Sequence, residues 1–302
     1  MINSVQRDKE VLERWRDSLF KGLKIIRFFK FNVFLFNRCN ISMEELYDAC
    51  IKNDIQFLKY NKLMRKLYFK YKGKYFFVTN YSVATIVQIF AYKSYKVPPS
   101  KLLNEYIVFD IGANKGFSSM WFAMLPSVCK VIGYEINPNL EKFINENKEM
   151  NNELFSKIKI YNFGLSDRNK KINLYSLEND DGVTTINDQF YSKYWSGKRK
   201  KKVSECEVYV RKASSEIKKH LHRYSKNKYI LKIDVEGAEY EIFNDLVENR
   251  LLGQFDIIMG ETHMGFDKIR KQLYKFRFRL VKLEEFSGNL NTFIAYKEKH
   301  EN

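Results

Sequence analysis

The sequence predicts an α/β protein with a doubly wound, mostly parallel sheet. After about residue 100, short apolar runs typical of buried strands alternate with amphipathic runs typical of helices. This alternation indicates βα units with helices on both faces of a sheet. A glycine-containing turn, residues 112–116, follows the first of these strands. The chain ends in two strand-like runs on either side of residues 287–289, which predict an antiparallel hairpin at one edge.

The segment in front of the sheet is predicted to be a helical extension, residues 1–66. Apolar residues within 12–26 recur at spacings of three and four, as they do on one face of a helix. Ser42 and Glu45 have the spacing of a capping box, which predicts the start of a second helix.

The second predicted domain, residues 67–302, contains the sheet. Its first part, 67–97, is predicted to form a hairpin around Lys72-Gly73 and then a helix. Five parallel strands follow: Ile107–Ile111, Lys130–Tyr134, Ile158–Phe163, Tyr229–Ile233 and Phe255–Met259. The closing hairpin joins two further strands, Arg277–Lys282 and Thr292–Tyr296. The long segment between the third and fourth parallel strands holds two more, Ile172–Leu177 and Glu207–Arg211.

The charge of the chain is strongly basic, because 53 lysines and arginines outnumber 36 acids and give a net charge of +17. Such a charge favours an acidic partner, which can be nucleic acid, an anionic membrane or a phosphate-bearing substrate. The four cysteines form no C-x-x-C pair, and the N-terminus has no pattern of a signal peptide. Reduced thiols and a cytoplasmic location are therefore expected.

Residues 12–36 leave two alternatives open. They can form a helix that packs on the catalytic core while its lysines reach the solvent. They can also lie on an anionic membrane at its inner face and bring the enzyme to a lipid-linked or nucleotide-linked precursor. The first alternative is favoured, because most amphipathic helices face their own core.

A motif for an adenosine cofactor surrounds the glycine turn. The sequence FDIGANKG (109–116) lies between a predicted strand and a helix, where glycines permit close approach and the helix N-terminus offers free N–H groups. Glu135 ends the next strand, at a position that suits a carboxylate accepting hydrogen bonds from ribose hydroxyls. Asp110 precedes the first glycine, which departs from the G-x-G-x-x-G pattern. This departure, together with the closing hairpin, favours methyl transfer over hydride transfer.

Five segments resemble the FkbM family of S-adenosylmethionine-dependent methyltransferases. They are FDIGANKGFSSMWFA (109–123), GYEINPN (133–139), FGLSDRNKKINLY (163–175), LKIDVEGAEYEIF (231–243) and GETHM (260–264). The resemblance covers roughly residues 70–296. It implies a Rossmann-like class I methyltransferase sheet. It also implies O-methylation of a small-molecule or glycan substrate, frequently of sugars in bacterial surface polysaccharides.

The resemblance also implies roles for individual residues at the cofactor. The methionine part would contact the first strand end and the glycine turn, namely Asp110, Gly112, Ala113, Asn114 and Gly116. Glu135 would bind the ribose, and the adenine would lie near Ile136, Leu165 and Ser166. The segment 182–185 would line the acceptor pocket.

Four further residues are expected to converge on the reacting hydroxyl: Asp234, Glu236, Glu261 and His263. In an open α/β sheet, ligands bind outside the carboxyl ends of the strands. His263 is the predicted general base, because the ordinary pKa of histidine is near neutral, and Asp234 or Glu261 would orient it. A divalent metal held by these carboxylates and His263 is the less favoured alternative, since the same groups suit an acid/base site. Glu239 is interpreted as a structural acid in the first turn of a helix.

The main rival function is methylation of nucleic acid, above all of RNA. The basic charge favours this alternative, because neutralisation of phosphates supplies most non-specific affinity. Against it, the only Pro-Pro pair of the chain is Pro98-Pro99, before the first strand of the sheet. The Asn-Pro-Pro-Tyr type of signature is therefore absent after the fourth strand, and nucleic acid is the less favoured partner. A domain that keeps the fold without catalysis is also disfavoured, because the glycine turn and the ribose acid are intact.

Overall fold

The computed structural model describes residues 43–61, 66–79, 83–177, 184–185, 203–285 and 290–298. The chain divides into two units, Met1–Ser94 and Tyr95–Asn302. The sequence predicts domains 1–66 and 67–302. This boundary differs from the one between the two units and stays a prediction. Residues 12–36 and Ser42 lie outside the described residues. No helix among the described residues is both long enough and apolar enough to cross a membrane.

The first unit contains a small antiparallel sheet. Its elements are α1 (Met43–Lys52), β1 (Ile55–Asn61), β2 (Lys66–Tyr71), β3 (Lys74–Thr79) and α2 (Val83–Ile86), which continues as a π-helical turn over Val87–Ala91. The predicted hairpin is confirmed: Lys72 and Gly73 join β2 to β3 with φ of 47° and 79°. Two successive residues with positive φ match the right-handed twist of the flanking strands.

Strand β1 corrects the prediction that residues 1–66 are helical. It pairs with β2 over its whole length, from Ile55 opposite Tyr71 to Asn61 opposite Lys66. This pairing satisfies backbone groups that a short isolated helix would satisfy only weakly. Phe69 and Phe76 are fully buried, and their stacked rings lie 4.8 Å apart, so aromatic packing stabilises the sheet.

The second unit contains the predicted α/β fold. Its strands are β4 (Tyr106–Ile111), β5 (Val128–Tyr134), β6 (Ile158–Tyr161), β7 (Gly164–Ser166), β8 (Lys170–Leu177), β9 (Thr184–Thr185), β10 (Val203–Lys212), β11 (Lys228–Ile233), β12 (Ile257–Thr262), β13 (Phe278–Glu285) and β14 (Asn291–Lys297). Its helices are α3 (Phe117–Ala123), α4 (Glu141–Met150), α5 (Asn152–Phe155), α6 (Ala213–Arg223), α7 (Glu239–Glu248) and α8 (Asp267–Lys275).

The main sheet has seven strands in the order β13-β14-β12-β11-β4-β5-β6. The five strands from β12 to β6 are parallel, and β14 and β13 add an antiparallel hairpin at the edge. The predicted strands of the sheet and the closing hairpin are thus confirmed. A second sheet, β7-β10-β8-β9, contains the two extra strands predicted between residues 164 and 228.

The order of the strands creates a crevice at the middle of the main sheet. Strand β4 pairs with β11, from Tyr106 opposite Lys228 to Ile111 opposite Ile233. From β4 the chain continues to β5 and β6 on one side, and from β11 to β12 on the other. Ligands of open α/β sheets bind outside the carboxyl ends of strands at such a switch point. Every residue of β4 is buried, as expected for a parallel strand covered on both faces.

Candidate active site

The glycine turn after β4 lies directly against the end of β11. Gly112 has φ of +82°, and a Cβ atom on it would lie 1.8 Å from the carbonyl oxygen of Asp234. A side chain at this position is therefore excluded by the neighbouring backbone as well as by the backbone angle. The amide N–H groups of Gly112 and Ala113 both donate to the carbonyl oxygen of Tyr134, at 3.0 Å. The turn is thus held between the ends of β5 and β11.

Glu135 connects the two loops that follow β4 and β5. Its carboxylate accepts hydrogen bonds from the backbone N–H of Asn114 at 2.6 Å and from that of Asn137 at 2.8 Å. Burial raises the pKa of Glu135 above its ordinary value, although the two backbone donors oppose this shift. The predicted ribose acid therefore fixes the shape of the turn, with each of its oxygens bonded to one backbone donor.

An open cleft of about 680 Å³ lies outside the carboxyl ends of β4, β5 and β11. Its lining residues come from both sides of the switch point: Ile111, Gly112, Asn114, Tyr134, Glu135, Ile136, Leu140, Gly164, Leu165, Thr184, Asp234, Val235, Glu236 and Ala238. One end is largely apolar, with Ile136, Leu140 and Leu165, and the other end carries Asp234 and Glu236. Thr184 lines the cleft as expected for the acceptor segment, whereas residues 182–183 lie outside the described part of the chain.

The side chains of two predicted cofactor residues are buried outside the cleft. Asp110 is fully buried and accepts hydrogen bonds from the hydroxyls of Ser118 and Ser119 at 2.7 and 2.6 Å. Ser166 is also buried, and its hydroxyl bonds to the carboxylate of Glu241 at the start of α7. Neither of them is among the lining residues of the cleft, and nor are the predicted cofactor residues Ala113 and Gly116, so direct contact of these four with a cofactor stays a prediction.

A buried lysine that the sequence analysis did not select connects the turn to the end of β11. The ammonium of Lys232 donates to the carbonyl oxygen of Gly112 at 2.7 Å, and lies 3.2 Å from the Asp110 carboxylate and 3.7 Å from that of Asp234. Burial on its own lowers the pKa of Lys232, but Asp110 and Asp234 outweigh it and raise the pKa. The signal in the sequence is one lysine within the otherwise apolar strand Tyr229–Ile233.

Three of the four predicted acceptor-site residues come together beyond the ends of β11 and β12, whereas Glu261 lies within β12. Asp234 follows β11 and accepts a hydrogen bond from the Tyr95 hydroxyl at 3.2 Å. Glu236 has φ of +53°, which is uncommon for a residue with a side chain. Ligating atoms of Asp234, Glu236 and His263 all lie within 4.8 Å of one another.

His263 is buried and bonded to an acid that the sequence analysis interpreted as structural. Its Nδ1 lies 2.8 Å from Oε1 of Glu239, and its Nε2 lies 3.3 Å from Oε2 of Glu236. The orienting partner is therefore Glu239, where the prediction named Asp234 or Glu261. Glu239 also has the predicted structural role, because the same Oε1 accepts from the backbone N–H of Val235 and Gly237.

The electrostatics of this cluster are dominated by carboxylates. Burial on its own lowers the pKa of His263, but Glu236 and Glu239 outweigh it and raise the pKa above its ordinary value. Burial likewise raises the pKa of Glu236; His263 opposes this shift, whereas Asp234, Glu239 and Glu261 add to it. Carboxylates that share one site favour proton or cation uptake, because each disfavours ionisation of the others.

Comparisons with known proteins identify the family of the chain. The model of the family described as "Methyltransferase FkbM domain" matches residues 110–284, more than half of the chain. No curated protein matches the chain. Solved structures with a similar fold include the methyltransferase FkbM from Methylobacillus flagellatus KT, with 12% identity and a TM-score of 0.38 over 72% of this chain and 55% of that one.

Two other solved structures are similar to the same extent. One is a putative tRNA (m1A22) methyltransferase from Streptococcus pneumoniae in complex with S-adenosyl-L-methionine, with 12% identity and a TM-score of 0.39 over 67% of this chain and 71% of that one. The other is an uncharacterized protein from Listeria monocytogenes serotype 4b, with 9% identity and a TM-score of 0.38 over 65% of this chain. The match spans less than two thirds of the Listeria protein, namely 63% of its length.

Proposed function

We propose that this chain, which belongs to the FkbM methyltransferase family, transfers a methyl group from S-adenosylmethionine to a hydroxyl oxygen, most readily that of a sugar in surface polysaccharide or glycolipid biosynthesis. The observation that carries the proposal is one continuous cleft, of about 680 Å³, whose lining includes both Glu135 and Glu236. A cofactor bound against Glu135 would therefore share a cavity with the carboxylates at the end of β11.

The apolar end of the cleft has the features of an adenosine site. Each oxygen of Glu135 accepts one backbone hydrogen bond, and a carboxylate oxygen has a further lone pair with which to accept a ribose hydroxyl. Ile136, Leu140 and Leu165 supply the apolar walls that suit an adenine ring. When bound, S-adenosylmethionine supplies an electrophilic methyl group on a positively charged sulfur.

The other end of the cleft suits an acceptor hydroxyl. The hydroxyl oxygen forms a bond to the methyl carbon while the bond from that carbon to sulfur breaks, and the hydroxyl proton passes to the basic groups at this end. Asp234 and Glu236 line the cleft there, and His263 lies next to Glu236. Carboxylates repel the phosphodiesters of nucleic acid, so this end favours an uncharged sugar over RNA, and the phosphates of any nucleotide-linked or lipid-linked carrier would lie away from it.

The cofactor part of the proposal is tested by calorimetric titration of S-adenosylmethionine into the wild-type protein and Glu135→Gln. We expect micromolar-range binding by the wild type and at least about a tenfold loss in the variant, because Glu135 would contact the ribose and also fixes the turn. Glu149→Gln, at an exposed position of α4, is the matched control and should bind like the wild type. A folded wild-type protein that binds no S-adenosylmethionine would contradict the proposal.

The acceptor part is tested with methyl-labelled S-adenosylmethionine and two sets of acceptors: nucleotide sugars with bacterial surface glycans, and total RNA. Label is expected in the first set, with a product stable to mild base, as ethers are and methyl esters are not. The variant His263→Ala should lose turnover and keep its affinity for the cofactor, since His263 lies at the acceptor end. Label found in RNA alone would establish the rival function.

A further inference from the structure

The geometry points to a divalent-cation site formed by Asp234, Glu236 and His263 at the acceptor end of the cleft. This inference rests on the proposed function, and it adds a cation that would bind the acceptor hydroxyl. The three ligands come from the end of β11, from the following loop and from the residue after β12. This arrangement favours the metal site, which the sequence analysis made the less favoured alternative to an acid/base site.

The orientation of His263 is the first argument. Oε1 of Glu239 accepts from the backbone N–H groups of Val235 and Gly237, so this oxygen acts as an acceptor and Nδ1 of His263 carries the proton in their 2.8 Å contact. When the ring is neutral, as a metal ligand must be, its lone pair is on Nε2. Buried carboxylates hold metal-binding histidines in this manner, through the ring nitrogen that does not bind the metal.

The second argument is what Nε2 faces. It lies 3.3 Å from Oε2 of Glu236, and two lone pairs at this distance repel each other unless a positive charge lies between or beside them. A proton or a metal ion can supply that charge. Asp234 contributes a third ligand atom to the same place. One proton can join only two of these atoms, whereas a metal ion can bind all three.

The distances fit a common ion. Divalent ions of this class bind carboxylate oxygen and imidazole nitrogen at about 2.0–2.3 Å, so neighbouring ligand atoms lie roughly 3 Å apart and opposite ones about 4.5 Å apart. The separation of 3.3 Å between Nε2 and Oε2 corresponds to neighbouring ligands. The ligand atoms of the whole group lie within 4.8 Å of one another, which is close to the separation of opposite ligands.

The balance of charge provides the third argument. Lys232, the cation at the end of β11, lies closer to Asp110 than to Asp234, at 3.2 against 3.7 Å. Glu261 is a further buried carboxylate, and it lies in β12, two residues before His263. A divalent cation would neutralise much of this negative charge where an acceptor hydroxyl must enter.

The donor set indicates which ions to expect. Carboxylate oxygens suit Mg²⁺ and Mn²⁺, and imidazole suits transition ions, so Mn²⁺ satisfies both kinds of ligand. A hydroxyl bound to such an ion would lose its proton more readily, and the proton would pass to the carboxylate oxygen of Asp234 or Glu236 that does not bind the ion. In this arrangement His263 is a ligand, in place of the general base that the sequence predicts.

The experiment is a titration of Mn²⁺ into the full-length protein without cofactor, with free Mn²⁺ measured by electron paramagnetic resonance. We expect one Mn²⁺ per chain with a dissociation constant below about 1 mM. Asp234→Asn, Glu236→Gln and His263→Gln should each weaken binding at least about tenfold, the size of effect seen when metal ligation is disturbed. Glu285→Gln, which removes an exposed carboxylate of β13, should bind like the wild type.

Two results of the titration would overturn the inference: no Mn²⁺ bound by the wild type at 1 mM ion, or binding unchanged in all three ligand variants. The first needs no variant to fold, so the inference remains testable if a substitution unfolds the chain. The result is independent of the proposed function, which fails when S-adenosylmethionine does not bind. Methyl transfer at an undiminished rate after removal of metal with a chelator would keep the function and reject the cation.

Discussion

Gly73 and Gly112 have nearly the same backbone angle in very different surroundings. Their φ angles are +79° and +82°. A Cβ atom on Gly73, in the turn between β2 and β3, would meet nothing within 4 Å, whereas one on Gly112 would lie 1.8 Å from a carbonyl oxygen. The hairpin turn thus needs glycine only for its angle, and the glycine turn after β4 also needs it for space. Equal backbone angles do not imply equal constraint.

The largest expected effect is that of Gly112→Ala. The methyl group would have to displace the backbone of Asp234, and with it the acid that lines the cleft, so the free energy of unfolding should fall by about 5 kcal/mol, the upper end for single substitutions. Urea denaturation measures this loss, and calorimetry should find no binding of S-adenosylmethionine. A folded variant with wild-type affinity would show that the turn after β4 and the loop after β11 can separate without cost.

Lys232→Met tests the second contact that holds the glycine turn after β4. It removes the hydrogen bond to the Gly112 carbonyl and leaves Asp110 as a buried charge without its cation. Removal of one partner of a buried ion pair costs about 3–4 kcal/mol. The double variant Asp110→Asn with Lys232→Met should recover part of this stability, because it removes the unpaired charge. A double variant less stable than Lys232→Met would contradict this explanation.

The difference between the two turns also shows what the sequence could predict. Both were recognised from the sequence, because a turn is a local pattern of glycine and polar residues between strands. The contact between Gly112 and Asp234 was not, since these residues are distant in sequence and meet only when β4 pairs with β11. Lys232 and the bond between Glu239 and His263 were missed for the same reason. Strand β1 was predicted as helix from the local pattern. It is a strand because its pairing with β2 outweighs local preference.

Ser119→Ala should have a smaller effect on the same turn. The Ser119 hydroxyl donates to the Asp110 carboxylate at 2.6 Å, but Ser118 and Lys232 remain close to that carboxylate. Loss of one hydrogen bond to a charged group costs about 1.5–3 kcal/mol, and we expect the lower value because the charge keeps its other partners. Thermal denaturation should show a corresponding fall, and Ser156→Ala, at an exposed hydroxyl, should show almost none.

The smallest effect is expected for Gly73→Ala, which isolates the cost of the backbone angle. With nothing within 4 Å of the new methyl group, the variant bears only the strain of a non-glycine residue at positive φ, about 1–2 kcal/mol. Gly73→Asn should cost less, because asparagine tolerates this region better. Urea denaturation of both variants beside Gly112→Ala measures angle and crowding separately. The free energy of unfolding would fall as much in Gly73→Ala as in Gly112→Ala only if the backbone angle alone made glycine necessary. That result would show that the approach of Asp234 is not what requires glycine in the turn after β4.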